Sequence, residues 1–405
     1  MSLNSVPSSD RVHISFFGMR NAGKSSVVNA VTGQKLSIVS ETLGTTTDPV
    51  QKAMELLPLG PVVIIDTPGI DDEGELGTLR VKRSYQALNK TDVAVLIIDS
   101  SKGKSHEDNE LIERFKAKNI PYIIVYNKSD ISSAEISDKN EISVSAKTGE
   151  GINDLKELIA RLAKPVENTK TIVSHMLKQN DIVVLVVPID GSAPKGRLIL
   201  PQQQTIRDLL DHHCTAVVTQ PEELTHTLSS LNSPPALVIT DSQAFARVSR
   251  DTPDNITLTS FSILFANYKG NLRLAVEGVR AIDSLQNGDK VLISEGCTHH
   301  RQCGDIGTVK LPALLKKYTG KSDLQFQWSS GTEFPEDISQ YKLIIHCGGC
   351  MLNEREMKYR LKCAEDENVP ITNYGTAIAY MNGILERSLS VFPEIEAIIK
   401  KEVRI

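Results

Sequence analysis

The octapeptide Gly18-Met-Arg-Asn-Ala-Gly-Lys-Ser25 constrains this chain more than any other stretch. It follows an apolar run, VHISFFG, with the character of a buried strand. It precedes SVVNAVTG, whose apolar residues recur at helical spacing before a closing glycine, Gly33. Strand, glycine-rich turn and helix in that order match G-x-x-x-x-G-K-[ST], a loop whose backbone N–H groups cradle phosphates at a helix N-terminus. The spacing predicts that Gly18, Asn21, Ala22, Gly23 and Ser26 line the cradle, that Lys24 reaches the β- and γ-phosphates, and that Ser25 offers its hydroxyl to Mg²⁺.

A glycine-rich turn can be purely structural, but three further elements arrive in the order a guanine-nucleotide site requires. PVVIIDTPG ends in D-x-x-G, placing Asp66 on the Mg²⁺ shell and the Gly69 backbone at the γ-phosphate. YIIVYNKSD ends a second apolar run with Asn127, Lys128 and Asp130. A carboxylate there pairs with the N1–H and N2–H₂ of guanine and would be left unpaired by adenine. Ser145-Ala146-Lys147 follows EISV as the closing wall of the base pocket, and GTTTD (44–48) supplies a switch threonine, Thr46, for Mg²⁺ and the γ-phosphate. Lys24, Thr46 and Gly69 are thus the expected catalytic set, with GTP and Mg²⁺ as ligands, in a domain spanning 1–170.

At 405 residues the chain has room for two to four domains. A formal charge of −5 and a pI near 6.0 lack the basic excess that draws a chain to nucleic acid or anionic membrane. The N-terminus MSLNSVPSSDR has no signal-peptide pattern and no apolar run is long enough to span a bilayer, so a cytoplasmic protein is expected. Six cysteines, four of them between 297 and 350, are too few and too clustered for a secreted disulfide framework.

Beyond Lys164-Pro165 the strand-and-helix alternation restarts twice, predicting two smaller α/β units with mainly parallel sheets, at 171–265 and 266–405. The first has no phosphate loop of its own, and His212 and His213 read as helix-end residues. It is expected to mediate self-association, as a homodimer. The second carries Cys297-Thr-His299 and His346-Cys-Gly-Gly-Cys350, each at the end of an apolar run. Neighbouring parallel strands share one crevice at their carboxyl ends, so Cys297, Cys347 and Cys350 are expected to converge. A dithiol redox pair, zinc held by Cys₃His and an iron–sulfur cluster all fit this donor set. Cys214 and Cys363 read as small packing residues.

The motifs GMRNAGKS, GTTTD, DTPG, NKSD and SAK resemble the group of small bacterial GTPases that act in tRNA modification and ribosome assembly. Members of that group that depend on K⁺ carry an asparagine where Asn21 stands, and Ile70 replaces the glutamine that orients water in Ras-like enzymes. The resemblance implies slow hydrolysis stimulated by K⁺, though an asparagine at Asn21 also suits an unusual loop backbone. C-x-H, 46 intervening residues (300–345) and H-C-x-x-C behind such a domain are similar to the FeFe-hydrogenase maturation GTPases, the HydF family. That resemblance implies a 4Fe–4S cluster on Cys297, Cys347 and Cys350. His299, Cys303, Asp305 and His346 are candidates for its fourth position. It implies also a scaffold and carrier for the two-iron precursor of the hydrogenase active site, working with apo hydrogenase and two radical-SAM maturases. The competing expectation is a K⁺-dependent GTPase of tRNA modification or ribosome assembly with a structural zinc site.

Overall fold

The computed structural model describes residues 7–34, 49–70, 81, 83–163, 170–189, 198–296, 305–331, 333–335 and 337–402. They form two compact units, Met1–Glu167 and Asn168–Ile405.

The first unit is one six-stranded sheet made of β1 Val12–Gly18, β2 Val50–Leu56, β3 Gly60–Asp66, β4 Val93–Asp99, β5 Tyr122–Asn127 and β6 Glu141–Val144, in the order β2-β3-β1-β4-β5-β6. Every pairing is parallel except β2 with β3. The central parallel strands β3, β4 and β5 are almost wholly apolar because helices cover both faces of the sheet. On one face Ile14, Val95 and Val125 pack with Val27 of the helix Lys24–Thr32 and with Leu155 and Ile159 of the helix Ile152–Leu162. On the other, Phe17, Leu96 and Ile98 meet Leu111 and Phe115 of the helix His106–Ala117. Each fully buried side chain of this size contributes about 1.5–3 kcal/mol. The edge strand β2 is mostly exposed, at Gln51, Lys52, Ala53 and Glu55, as an edge strand facing water can be. The helix His106–Ala117 starts at a capping box, in which Ser105 Oγ accepts from the Asp108 N–H and Asp108 Oδ2 from the Ser105 N–H.

The second unit holds two four-stranded parallel sheets. One comprises β7 Ile182–Val186, β8 Thr215–Thr219, β9 Leu237–Thr240 and β10 Leu258–Ser260, ordered β10-β9-β7-β8. The other comprises β11 Lys290–Glu295, β12 Gln325–Ser330, β13 Leu343–His346 and β14 Ile371–Asn373, ordered β12-β11-β13-β14. The fold is therefore the expected one, a phosphate-loop domain followed by α/β structure with mainly parallel sheets. The two small sheets share one continuous core. Leu185 and Ile239 of the first pack with Ile293 and Ile345 of the second through Leu264 and Phe265 of the helix Phe261–Lys269. A boundary between 265 and 266 falls inside that helix. Among the described residues no helix is long and apolar enough to cross a membrane.

Candidate nucleotide site and cysteine pocket

The carboxyl ends of β1, β3 and β5 bring the first set of residues together. The loop after β1 ends at Gly23, whose φ of 86° is left-handed and whose missing Cβ leaves room for the Asn127 amide. Asn127 is 2% exposed; its Nδ2–H donates to the Ala22 carbonyl (3.0 Å) and its Oδ1 accepts from the Ala146 N–H (3.1 Å). One side chain thus ties the phosphate loop to the Ser145-Ala146-Lys147 wall. Asp130 Oδ1 accepts from the Ser145 hydroxyl at 2.8 Å, which aims the carboxylate, with Lys147 3.8 Å from its other oxygen.

Ser25 Oγ donates to Asp66 Oδ2 at 3.1 Å, while Asp66 Oδ1 is buried, accepts no hydrogen bond and lies 3.6 Å from the Lys24 ammonium. An orphaned carboxylate oxygen beside a hydroxyl and a lysine is the donor set that hydrated Mg²⁺ and phosphate complete, so the residues fit the metal. Ile70 is buried in the core beside Phe17, so it presents no polar group to an attacking water. Asn21 adopts φ 61°, a conformation that asparagine tolerates, and its carbonyl accepts from Lys128 Nζ at 3.0 Å. Ser26 stands exposed on the first turn of the helix and Gly18 closes β1. Thr46 lies outside the described residues.

Sequence reasoning missed Asp99. It ends β4 and accepts from Lys128 Nζ at 2.6 Å. Burial works to raise its pKa, but the Lys128 and Ser101 hydrogen bonds outweigh it and hold the carboxyl at about 2. VAVLIIDS is an apolar run closing on an acid, but nothing in it reveals that this acid meets the lysine that follows β5.

The cysteines sit at the carboxyl end of β13. Ser294 of β11 and His346 of β13 are register partners, so the chain leaving β11 towards Cys297 runs beside the Cys347-Gly-Gly-Cys350 turn. The Gly296 N–H donates to Cys347 Sγ at 3.0 Å and the Gly349 N–H at 3.4 Å. Gly349 has φ 62°, and a Cβ there would lie 2.5 Å from Met357 Sδ. Burial pushes the Cys347 thiol up, against the pull of those two amides. Burial and then Cys347 push Cys350 to about 11, opposed by Lys269, whose ammonium donates to the Cys350 carbonyl at 3.3 Å. Two adjacent thiols held neutral, with amides already aimed at one sulfur, suit a thiolate-binding metal or cluster that displaces their protons.

Cys297, His299 and Cys303 lie outside the described residues, and among the described residues no three His, Cys, Asp or Glu side chains group as for a metal ion. Asp305 is buried, and its Oδ2 accepts from the Gly307 and Thr308 N–H groups. His346 is buried with both ring nitrogens engaged. Arg360 Nη1 lies 3.0 Å from Nε2, and because a guanidinium only donates, Nε2 accepts and the proton sits on Nδ1, which donates to the Cys347 carbonyl at 2.6 Å. Its lone pair is thereby occupied by Arg360. Cys214 is buried and Cys363 half-buried.

A cavity of about 160 Å³ opens on Cys347 and Cys350. Glu295 at the end of β11, Asp305 and Tyr374 line it on the side of the cysteine-bearing sheet, and Gln202 of the helix Leu200–Asp211 with Asp241 and Ser242 after β9 line it on the side of the other small sheet. The sequence reading assigned that other sheet no chemistry; its strand ends form the opposite wall. The signal was present in PALVITD, a buried run closing on an acid, but nothing in it revealed which cavity the acid would border.

Three regions of the chain match known domain families. Residues 13–128 match the 50S ribosome-binding GTPase domain, 172–270 the hydrogen maturase F dimerization domain and 273–391 the hydrogen maturase F tetramerization domain. The tRNA modification GTPase MnmE of Endomicrobium trichonymphae is 36% identical over 162 residues, covering 38% of this chain and 35% of that protein. MnmE of Dechloromonas aromatica (strain RCB) is 34% identical over 158 residues, with the same shares, 38% and 35%. The chain thus spans about a third of the length of these relatives, 35% of each. Among solved structures, a probable GTP-binding protein engB is 24% identical with a TM-score of 0.32, covering 38% of this chain and 99% of that one. Era of Aquifex aeolicus is 19% identical with a TM-score of 0.33, covering 60% and 99%.

Proposed function

Because the chain belongs to the hydrogen maturase F family, with that family's dimerization and tetramerization domains behind a GTPase domain, we propose that it is a GTP-hydrolysing iron–sulfur scaffold and carrier. In this reading Cys297, Cys347 and Cys350 hold a 4Fe–4S cluster. The protein assembles the two-iron precursor of the FeFe-hydrogenase active site as cargo and delivers it to apo hydrogenase, in company with two radical-SAM maturases in the cytoplasm. His299, Cys303, Asp305 or a group from solution completes the fourth position, while His346 holds the loop.

The observation that carries the reading is the Gly296 amide 3.0 Å from Cys347 Sγ, which sets the residue before Cys297 against the C-x-x-C turn. Thiolate ligation supplies an anchor for iron. The chain's own contribution is to bring the sulfurs together in a partly enclosed cavity, aim amides at them and set Lys269 beside the turn.

In the GTPase domain Lys24 and the Gly69 backbone act on the γ-phosphate, Ser25 and Thr46 bind Mg²⁺ with Asp66 reached through water, and Asp130 reads guanine. K⁺ beside Asn21 raises turnover. Equal rates in K⁺ and Na⁺ would remove that role.

The GTP site and the cysteine pocket belong to separate compact units, so nucleotide turnover and cluster binding are separable. Anaerobic reconstitution with iron and sulfide tests this. Cys347→Ala or Cys350→Ala is expected to abolish the cluster's visible absorption and EPR signal, and Lys24→Ala to preserve both while abolishing GTP turnover. A folded Lys24→Ala protein unable to take up iron and sulfide would refute the division. The second reading, a K⁺-dependent GTPase of tRNA modification with structural zinc, draws on the 36% identity to MnmE. It leaves the hydrogen maturase F match over 172–391 without a role. Zinc in place of iron and sulfide in the purified protein would favour it.

A further inference from the structure

Arg360, on the helix Glu354–Asp366, is 0% exposed and is the largest fully buried side chain among the described residues. Its guanidinium spends its donors on four partners. Nε and Nη2 each lie 3.0 Å from Glu356 Oε1, and Nη2 also donates to the Gly331 carbonyl at 2.6 Å. Nη1 reaches Ser294 Oγ at 3.2 Å and His346 Nε2 at 3.0 Å. The Phe334 ring covers it, 5.3 Å from centroid to guanidinium carbon. Ser294 Oγ accepts in addition from Ser329 Oγ at 3.0 Å. One cation therefore grips the carboxyl ends of β11 and β13 and the turn that follows β12.

Those are the strand ends from which the cysteines depart: Cys347 follows His346 directly, and Cys297 stands three positions beyond Ser294. A buried ion pair is a weak device for stability, since apolar side chains of similar volume fill such a space as well. What they cannot reproduce is a rigid planar fork with fixed distances to several acceptors. We propose that Arg360 is a positioning residue of the thiol site. Through Ser294 and His346 it sets the spacing between the strand end leading to Cys297 and the turn bearing Cys347 and Cys350. The inference rests on the metal-binding reading above.

The test uses the full chain and Co²⁺ alone, titrated anaerobically and read by thiolate-to-cobalt charge-transfer bands, with circular dichroism as the check of folding. Cys347→Ala must lose those bands; if it keeps them, the thiol-site reading fails whatever Arg360 does. Glu356→Met/Arg360→Met removes both buried charges at similar volume, and Arg360→Lys keeps the charge but loses the fork. Both are expected to fold and to bind Co²⁺ about 10–100-fold more weakly, the range typical of lost outer partners of a metal ligand, with shifted bands because the sulfur spacing changes. Folded Arg360→Lys or double-Met protein with wild-type affinity and band positions overturns the proposal. Should neither fold, Ser294→Ala, which leaves the ion pair in place, decides: weakening supports the proposal, and an affinity within about two-fold of wild type overturns it.

Discussion

Asn127 gives the sharpest test of how the nucleotide site is built. It bonds Ala22 of the phosphate loop and Ala146 of the base-pocket wall while 2% exposed. Asn127→Ala leaves that carbonyl and that N–H without partners, each at a cost of about 1–3 kcal/mol. A water entering the vacated volume satisfies one of the two, which leaves one unpaired group and an expected loss of unfolding free energy of about 1–3 kcal/mol. Asn127→Asp is the discriminating variant. It keeps shape and the acceptor for Ala146 N–H, yet sets a carboxylate oxygen against the Ala22 carbonyl, so it should lose stability although it is isosteric. Urea unfolding followed by far-UV circular dichroism measures the loss in the unit Met1–Glu167. The one tryptophan, Trp328, lies in the other unit, so its fluorescence transition must stay in place and serves as an internal control. GDP affinity should fall at least about ten-fold in both variants, 1.4 kcal/mol of the lost coupling. Asn127→Asp protein with wild-type urea midpoint and GDP affinity would refute the reasoning.

Asp130→Asn should exchange preference for GTP for xanthosine triphosphate, because the amide Ser145 then holds offers a donor where guanine presents one; unchanged nucleotide ranking in a competition assay would count against it. In the metal-free protein, burial and then the Arg360 charge push the pKa of His346 down to about 3, below the imidazole's ordinary value, so the unfolded chain takes up the proton first. The stability it protects is complete above pH 6.5 and falls as pH drops towards 3, by up to about 2 kcal/mol between pH 6.5 and 5; a flat Trp328-monitored urea midpoint over that interval would contradict this. In β8, Thr215 N–H and Thr219 C=O face β7, so by alternation the N–H groups of Ala216 and Val218 point to the open edge. If that edge pairs with its copy in a dimer, Val218→Pro should yield monomer by light scattering, and an unaltered mass would exclude β8 from the interface.

Local order along the chain determined the nucleotide site. Gly18 to Ser25, Asp66 and Asn127 to Asp130 each end an apolar run, and parallel strands must deliver their carboxyl ends to one crevice, so sequence order alone predicts their meeting. The same rule set Cys347 at a strand end beside the chain leading to Cys297. Tertiary structure decided what each polar side chain spends its hydrogen bonds on. Asp99, which sequence reasoning missed, is the partner of Lys128; His346, one of four candidates for a fourth ligand position, accepts from Arg360 at Nε2. Glu356 and Arg360 have the spacing of an exposed helix pair, yet both are buried. Periodicity reports which face of a helix is apolar. It is silent about a charge that long-range packing encloses, because the acceptors that make such burial tolerable, Ser294, Gly331 and His346, come from strands and turns distant in sequence and adjacent only after folding.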